Sequence, residues 1–573
     1  MPEAARSNGP PTQTTAGSPR DRKKKNLANI MKTQAIEFCL STSLHGYKYI
    51  VQKKRSKVER CVWAAIVVSS LIFSLVLMHT AWTYNAAHST LTVIETTHHG
   101  IWNYPFPAVT ICNNNQISRE KARNFVQKLK KLGKVPRDSV LRDLRLLVEL
   151  LDPGVSGRNV QANLSILQNV LDANNYTVVQ VARELKQDCS ELLKSCKWKG
   201  NVTPCRELFE ETTSRDGHCC SFNYFGPNSQ PKIGGLGEPR RLTACGYQTG
   251  LEVLVDARPR DYWASLQASF GVKVMLHEPH DYPVRSSAFK LVGLGVQELL
   301  DVSPESTYST GQVRSLPVRV RDCIFSDEPV GSAALRQLEL EHSWNSYSYV
   351  NCLNSCRAKI VLDNCGCVPH YLPKNGEMYS TLERRREKQS SGFHLSASRD
   401  CDLRDIECLT RIRSLYDSSW PGKIVDPEQM DLDIEERPCG CMLDCSNYRY
   451  PVDSSEGILD QSRVLVSTRN NVDERSKLSL INVFFTDLVS IQYRRYVYYD
   501  WKALFASFGG LLGLFVGFSL ITGFELVYFF VIRVLADECK KSRAKKRRST
   551  ETIDKMEKTR RRNSSSPATI GGF

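Results

Sequence analysis

The chain has 573 residues, of which 41% are hydrophobic, and a formal net charge of +16. This is ample material for a large folded core. Residues 1–60 carry a net charge of +9 and residues 536–573 one of +7, so the whole positive excess lies at the two ends. A neutral middle with basic ends argues against a nucleic-acid-binding protein and favours anionic membrane lipid as the partner of both ends.

The N-terminal part of the chain is polar until a long apolar run begins. Residues 1–26 are rich in Pro, Thr, Ser and Lys, which predicts disorder, and residues 27–60 are predicted to be a short cytosolic segment. The run CVWAAIVVSSLIFSLVLM contains no charged residue. Since about 20 helical residues cross a ~30 Å hydrocarbon layer, we predict a transmembrane helix over residues 61–84. Its distance from the N-terminus and the lack of a small-residue cleavage site favour an anchor over a signal peptide.

The middle segment, residues 85–500, is predicted to be an extracellular domain of mixed α/β structure. It holds 17 of the 20 cysteines, between Cys112 and Cys445. Its three glycosylation sequons begin at Asn163, Asn175 and Asn201. Disulfides and glycans both belong to an oxidising compartment outside the cytosol. The spacings NCGC and PCGCMLDC would also suit zinc, but so many neighbouring cysteines outside the cell favour disulfides.

Within the middle segment, apolar periodicity predicts both helices and strands. Helical spacing covers residues 117–151 and 178–194. The runs FPAVTICNNN, GHCCSFNYFG and FGVKVMLHE predict strands, and PHDYPV predicts a turn. A further strand-like run, KLSLINVFFTDLVSIQYRRYVYY, leads directly into the second apolar run. The sequence contains no G-x-S-x-G, H-E-x-x-H or phosphate-binding motif, so we predict no enzyme, catalytic residue, cofactor or metal.

The second apolar run, ASFGGLLGLFVGFSLITGFELVYFFVI, covers residues 506–532 and predicts a span over residues 501–535. It contains several hydroxyl side chains and, unlike the first run, five glycines and the carboxylate of Glu525. Three glycines recur every four residues and so share one helix face: Gly509, Gly513 and Gly517. Small residues on one face are typical of a close helix seam, whereas a carboxylate in a span is typical of a water-lined pathway.

The basic ends set the orientation of the two spans. By the positive-inside rule, residues 1–60 and 536–573 are both cytosolic, and the middle segment is extracellular. The C-terminal tail is basic and Ser-rich, and it shows no fold signal. The predicted fold class is therefore a plasma-membrane protein with two transmembrane helices flanking a large disulfide-rich α/β extracellular domain.

Several separated motifs resemble those of the degenerin/epithelial sodium channel family, most closely its insect pickpocket branch. LHGYKY is similar to the family's His-Gly motif, FPAVTICN to its first extracellular strand and GHCCSFNY to a later extracellular element. The late cysteine series, C…C-x3-C-x8-C-x-C…C-x6-C…C-x-C-x3-C, is the most specific part of the resemblance. In total the resemblance covers roughly residues 36–535.

The resemblance implies a disulfide pairing that the sequence alone leaves open. The implied bridges are Cys112–Cys219, Cys196–Cys205, Cys323–Cys445, Cys352–Cys441, Cys356–Cys439, Cys365–Cys408 and Cys367–Cys401. Five of them lie in the helical region that the family calls the thumb, and each closed loop contributes about 2–4 kcal/mol. Of the remaining cysteines, we expect Cys220 to pair with Cys245, and the pattern leaves Cys189 unassigned.

The resemblance also implies a selectivity filter in the second span. Gly517, Phe518 and Ser519 align with the family's three-residue filter motif, in which backbone carbonyls and hydroxyls replace the water around an ion. Many relatives have a small residue in the middle of this motif. The ring of Phe518 either intrudes on the pore, which would change conductance or ion choice, or points into the helix bundle and leaves a backbone filter intact.

Further residues of the spans take roles from the same resemblance. They are the degenerin gating position Ala506, the amiloride-linked Gly513, the pore or vestibule residues Thr522 and Glu525, and the N-terminal gating pair His45 and Gly46. A ring of three Glu525 carboxylates would attract cations, and the alternative is an acid at the membrane edge. The alternative for Gly46 is an ordinary cytosolic turn.

The implied function is a subunit of a voltage-insensitive, amiloride-sensitive, sodium-selective cation channel. It would assemble as a homotrimer or heterotrimer of related subunits, contact sodium ions and membrane lipid, and respond to an extracellular mechanical, chemical or osmotic stimulus. CLNSCRAK lacks the acids of acid-sensing members, which argues against assuming proton gating. ERRREK at residues 383–388 predicts an exposed loop or a processing site. The alternatives are a two-span glycosylated receptor without channel activity and an ATP-gated two-span channel.

Overall fold

The computed structural model describes residues 19–563 apart from several internal segments: 155–159, 227–237, 286, 329–346, 373–398, 419, 424–437 and 463–476. The charged stretch at residues 383–388 therefore lies outside the described residues. The chain divides into two compact units. We call residues 1–89 with residues 498–573 the terminal unit, and Thr90–Val497 the central unit.

The secondary structure alternates helices and strands. The α-helices are α1 (Pro19–Ser41), α2 (Tyr47–Val51), α3 (Lys57–Ala87), α4 (Arg119–Lys128), α5 (Arg137–Asp143), α6 (Gln161–Ala173), α7 (Val178–Leu185), α8 (Cys189–Leu192), α9 (Cys205–Leu208), α10 (Gly311–Ser315), α11 (Val318–Arg321), α12 (Tyr349–Cys365), α13 (Ile406–Arg411), α14 (Arg413–Tyr416), α15 (Trp501–Val516), α16 (Leu520–Val527) and α17 (Arg533–Asn563). The strands are β1 (Thr90–Gly100), β2 (Ala108–Asn113), β3 (Asn115–Ser118), β4 (Leu193–Trp198), β5 (Asn201–Thr203), β6 (Phe209–Ser214), β7 (Gly217–Phe222), β8 (Leu251–Val255), β9 (Tyr262–Ser265), β10 (Val272–His277), β11 (Ala288–Val292), β12 (Val296–Val302), β13 (Glu305–Ser309), β14 (Cys323–Ile324), β15 (Leu443–Asp444), β16 (Asn447–Arg449), β17 (Val452–Ile458), β18 (Ser479–Phe485) and β19 (Val489–Val497).

In the terminal unit, α3 is the one described helix that is long and apolar enough to cross a membrane by itself. It begins where Ser56 caps it, because the Ser56 hydroxyl accepts the backbone N–H of Glu59 at 3.2 Å. Ser followed three residues later by Glu is a typical helix start. The helix has 31 residues and extends beyond both ends of the segment predicted over residues 61–84.

The second apolar run forms a bent pair of helices. The segments Trp501–Val516 and Leu520–Asp537 meet the length and hydropathy requirement together, and they are bent by 72° at the break between them. Such a pair has the geometry of a broken span or of a re-entrant loop. A π-helix, Tyr528–Ile532, follows α16 and leads into α17.

The two ends of the chain contain more helix than the sequence indicated. Helix α1 begins at Pro19, within the part predicted to be disordered, and α17 continues through the tail that showed no fold signal. Lys and Arg dominate the tail, and both have high helix propensity. Propensity summed over such a long stretch favours a helix even without an apolar face.

Three larger sheets build the central unit. Their strand orders are β1-β19-β13-β16, β11-β10-β2-β7-β6 and β17-β12-β18-β8-β4-β5. The strand-like run before the second apolar run is divided between β18 in the six-stranded sheet and β19 in the four-stranded sheet. The segment at residues 178–194 forms α7 and α8, but β4 already begins at Leu193.

Apolar side chains of the five- and six-stranded sheets share one core. The aromatic rings of Phe106, Trp198 and Phe222 lie in it, with the Phe106 and Trp198 ring centroids 5.0 Å apart. A second apolar cluster joins α4–α7 to α12 and α13. Burial of these side chains holds the sheets and the helical region together.

Eight disulfides cross-link the central unit, and seven of them join the pairs that the family resemblance implied. The eighth joins Cys189 to Cys220. The expected Cys220–Cys245 bridge is therefore wrong, and Cys245 has no disulfide partner among the described residues. Cys219 and Cys220 are neighbours on β7 and point to opposite faces of the sheet, so one reaches Cys112 and the other reaches Cys189.

Candidate functional site

The break between α15 and α16 is built from two helix caps in succession. Gly517 adopts left-handed backbone angles, with φ +75° and ψ 22°, and its N–H donates to the Gly513 carbonyl at 3.0 Å. This is the usual way in which a helix ends at glycine. Two residues later, the Ser519 hydroxyl accepts the Thr522 N–H at 3.3 Å and starts α16. Phe518, between the two caps, belongs to neither helix.

The His-Gly motif lies directly against this break. The N–H of His45 donates to the carbonyl of Val516 at 2.9 Å. A Cβ added to Gly517 would lie 2.7 Å from His45 Cδ2, and one added to Gly46 would lie 2.7 Å from Val67 Cγ2. Gly46 also has a positive φ of +82°. Glycine is thus required at both positions, and the structure brings together two motifs from opposite ends of the chain.

A chain of hydroxyl groups continues from the break toward α17. Thr522 is fully buried, and its Oγ1 lies 3.1 Å from Ser43 Oγ and 3.1 Å from Ser519 Oγ. The neighbouring Thr42 hydroxyl donates to the Glu525 carboxylate at 3.2 Å. The sequence pattern indicated Ser519, Thr522 and Glu525 but not Thr42 or Ser43. Their signal was a run of hydroxyl side chains that ends one residue before the His-Gly pair.

The Phe518 side chain packs within the terminal unit. It is partly buried in an apolar cluster that includes Phe38, Leu44 and Val516. The Phe518 carbonyl lies 3.8 Å from where a Cβ of Gly513 would be. In the single chain, Ala506 lies on an exposed part of α15.

The N-terminal helix α1 contacts the segment that follows the break. The Phe38 ring meets that of Phe529 edge-on at 5.8 Å. Arg533 pairs with Glu37 at 2.8 Å, and Gln34 donates to Asp537 at 2.9 Å. These contacts hold the segment before His45 in place beside α16 and α17.

In the central unit, three acids lie in buried surroundings. Burial, together with the smaller effect of the nearby Asp281 carboxylate, raises the pKa of Asp444 to about 7. Burial likewise raises the pKa of Asp281 to about 6 and that of Glu278 well above its ordinary value. The Asp444 carboxylate accepts the Tyr349 N–H at 3.2 Å. None of the three acids lies in the thumb stretch CLNSCRAK, the part of the sequence in which acid-sensing members carry acids.

Other predicted features of the central unit also have clear positions. Asn163, Asn175 and Asn201 are all exposed, so each sequon is accessible to glycosylation. Cys367, Cys401 and Asp405 lie close enough together to suggest a metal site. The two cysteines are joined in a disulfide, so they have no thiolates to offer a metal.

Comparison with known proteins identifies the family. The sequence model described as the amiloride-sensitive sodium channel matches residues 38–529. The chain is 23% identical to the sodium channel protein Nach of Drosophila ananassae, with 89% of each chain covered. It is 23% identical to pickpocket protein 28 of Drosophila melanogaster, over 88% of this chain and 79% of the relative. It is also 25% identical to the bile acid-sensitive ion channel of Mus musculus, over 90% and 88% of the two chains. The chain therefore belongs to the amiloride-sensitive sodium channel family, whose members are ion channel subunits and not enzymes.

Proposed function

We propose that this chain is a subunit of a sodium-selective, amiloride-sensitive and voltage-insensitive channel in the plasma membrane. Family membership supports sodium permeation and assembly with other subunits. Three subunits, identical or related, would surround one pore and pass Na⁺ down its electrochemical gradient. A stimulus acting on the central unit would open the pore.

The observation that carries this proposal is the break at Gly517–Ser519. An apolar helix that only anchors a protein gains nothing from an interruption in its backbone hydrogen bonding. Non-helical backbone at membrane depth is tolerated where it is buried in protein or lines a water-filled cavity. The αL glycine and the serine cap create such backbone in the middle of an apolar run.

The chemistry of the break suits a dehydrated cation. A ring of three such segments would present carbonyl and hydroxyl oxygens to an ion that has lost part of its water. Because the Phe518 ring packs among apolar side chains, we propose that it leaves the pore to the backbone. Gly513, four residues before the filter, would form part of the amiloride site, and Glu525 would concentrate cations on the cytosolic side.

The proposed topology places both termini in the cytosol and the central unit outside. The basic excess at both ends supports this orientation by the positive-inside rule. Three exposed sequon asparagines and eight disulfides in the central unit support an extracellular location for it. Helix α3 and the bent pair α15–α16 would be the two spans.

The test is current in cells that express the chain alone or with candidate related subunits. Ala506→Val places bulk at a position that we propose must pack tightly for the channel to close. It should therefore produce constitutive, amiloride-sensitive Na⁺ current, while Ala506→Gly, which stays small, should not. If Ala506→Val reaches the cell surface and no subunit combination conducts, the chain acts as a non-conducting receptor and the proposal is wrong.

A further inference from the structure

Thr522 lies at the centre of three hydroxyl groups in the terminal unit. Its Oγ1 is 3.1 Å from Ser519 Oγ and 3.1 Å from Ser43 Oγ. In the single chain, the Thr522 side chain is fully buried, whereas Ser519 and Ser43 are both exposed. The Thr522 hydroxyl therefore connects two exposed hydroxyls and has no contact with solvent of its own.

The cap of α16 already uses part of the bonding capacity of two of these oxygens. The Thr522 N–H donates to Ser519 Oγ at 3.3 Å, and the Ser519 N–H donates to Thr522 Oγ1 at 3.4 Å. A hydroxyl oxygen has two lone pairs and carries one proton. Each of the two oxygens thus keeps one free lone pair, and the direction of its proton depends on the neighbouring hydroxyls.

Two arrangements of the hydroxyl protons fit these contacts, and they differ in what Ser519 presents to an ion. In the first, the Ser519 hydroxyl donates to Thr522 and the Thr522 hydroxyl donates to Ser43, so one lone pair of Ser519 stays free. In the second, the Ser43 hydroxyl donates to Thr522 and the Thr522 hydroxyl donates to Ser519. Both lone pairs of Ser519 are then used and its proton points outward. A cation is attracted by the free lone pair of the first arrangement and repelled by the outward proton of the second.

We propose that Ser43 is a positioning residue of the filter. By accepting the proton of the Thr522 hydroxyl, it turns a lone pair of Ser519 toward the ion. This inference rests on the proposed channel function, in which Ser519 is an ion ligand. Ser43 is suited to the role because its hydroxyl is exposed and can give its own proton to water.

The chain of hydrogen bonds links the ion to a residue that does not touch it. Hydrogen bonds in such a chain polarise one another, so a cation at Ser519 and an acceptor at Ser43 favour the same arrangement. Thr522 transmits this preference between the other two hydroxyls. Its buried position makes it a second positioning residue and not an ion ligand.

The test is the Na⁺/K⁺ permeability ratio of the Ser43→Val variant, compared with that of Ser43→Thr. Valine and threonine have nearly the same shape, so the two variants differ at position 43 in a methyl group against a hydroxyl group. Valine removes the acceptor and fills the space that water could enter, so the proton of Thr522 turns toward Ser519. The ratio should then fall roughly fivefold, the factor that corresponds to one hydrogen bond of average net strength. The Ser43→Thr variant should stay much closer to the parent.

Ser41→Ala is the matched control in the same segment. The Ser41 hydroxyl donates to the Glu37 carbonyl at 3.0 Å, within α1 and away from the three hydroxyls, so the ratio should not change. Surface biotinylation shows whether each variant reaches the membrane. If Ser43→Val has the same permeability ratio as Ser41→Ala, Ser43 does not position the filter and the proposal is wrong.

Thermal unfolding of the full-length protein in detergent micelles tests the contact without ion conduction. Ser43→Val and Thr522→Val each remove one member of the same hydrogen bond, so the double variant should lower the unfolding temperature by less than the sum of the single shifts. Additive shifts would mean that the two hydroxyls do not meet, and they would overturn the proposal whatever the currents show. If the shifts are not additive but the parent conducts in no subunit combination, the contact exists. The proposed channel function, and with it the role of Ser43 in a filter, is then wrong.

Discussion

Replacing Gly517 by alanine perturbs the break and the His-Gly motif at once. The new methyl group would lie 2.7 Å from His45 Cδ2 and 2.9 Å from Nε2. Carbon atoms in ordinary contact are about 3.5–4.0 Å apart, so the imidazole must move by about 0.8 Å or more. The His45 N–H bond to the Val516 carbonyl constrains that movement.

The backbone contributes a second cost. At φ +75°, alanine is less favourable than glycine by about 1–2 kcal/mol. Such an energy changes a two-state population by a factor of roughly 5–30. Gly517→Ala should therefore shift the break out of its capped geometry. In the proposed channel, the expected result is a lower Na⁺/K⁺ permeability ratio or a loss of current at unchanged surface level.

Gly509→Ala is the matched control on the same helix. A Cβ at Gly509 meets no described atom within 4 Å beyond its own helix backbone, and its φ is not positive. Alanine in a helix interior is favoured over glycine by about 0.5–1 kcal/mol, so this change should preserve selectivity. Reversal potentials in Na⁺ and K⁺ solutions measure the ratio, and surface biotinylation measures delivery to the membrane.

A double-mutant cycle separates the contact from the strain. His45→Ala removes the ring that the new methyl group meets, so the His45→Ala/Gly517→Ala pair should be less impaired than the sum of the single variants. The backbone strain at position 517 would remain. Strict additivity would mean that the two residues do not touch in the working channel. If the Gly517→Ala variant has the same ion selectivity as the Gly509→Ala variant, position 517 does not require a residue in the left-handed conformation.

Three further outcomes follow from the structure. Cys189→Ser should lower stability by about 2–4 kcal/mol, whereas Cys245→Ser should change it little, as thermal unfolding under non-reducing conditions can measure. Burial raises the pKa of Asp444 from 3.8 to about 7. Its contribution to the stability of the folded protein is therefore fully present below about pH 4 and is lost as the pH rises through about 7. Asp444→Asn should therefore stabilise the protein at about pH 8 but not at about pH 4, on the order of a few kcal/mol, and an equal shift at both pH values would contradict this. Glu525→Lys should reduce cation conductance, while Glu551→Lys, the same charge change at an exposed position of α17, should not; unchanged conductance in Glu525→Lys would place that carboxylate away from the pore.

Local sequence patterns predicted the parts of the fold that depend on neighbouring residues. Strands β2, β7 and β10 lie where β-branched and aromatic runs indicated them. The run at the end of the central unit looked like one strand, because its apolar pattern continues through the connection. It becomes two because β18 pairs with β12 and β8, whereas β19 pairs with β1 and β13. Partners hundreds of residues away leave no trace in a local pattern.

The same distinction applies to the candidate site. The family resemblance singles out Gly517–Ser519, where glycine after one helix and serine before the next also act as local capping signals, so the position of the break could be found from sequence. The contact between His45 and Val516 could not, since it joins the two ends of the chain. The hydroxyl contacts of Thr42 and Ser43 belong to the same long-range arrangement, so no local pattern predicts them.

In the proposed topology, the His-Gly segment explains how a bilayer tolerates the break. A helix that ends within an apolar layer leaves its last carbonyls without helical donors, and each unsatisfied group there costs several kcal/mol. The N-terminal segment supplies a donor from the His45 backbone to Val516, while Ser43 contacts the buried Thr522 hydroxyl. The bend is therefore not a property of α15 and α16 alone, since part of its polar backbone is satisfied by residues before the first span. It follows that the cytosolic N-terminus is a structural part of the candidate filter, and that ion selectivity should respond to changes there as directly as to changes in the second span.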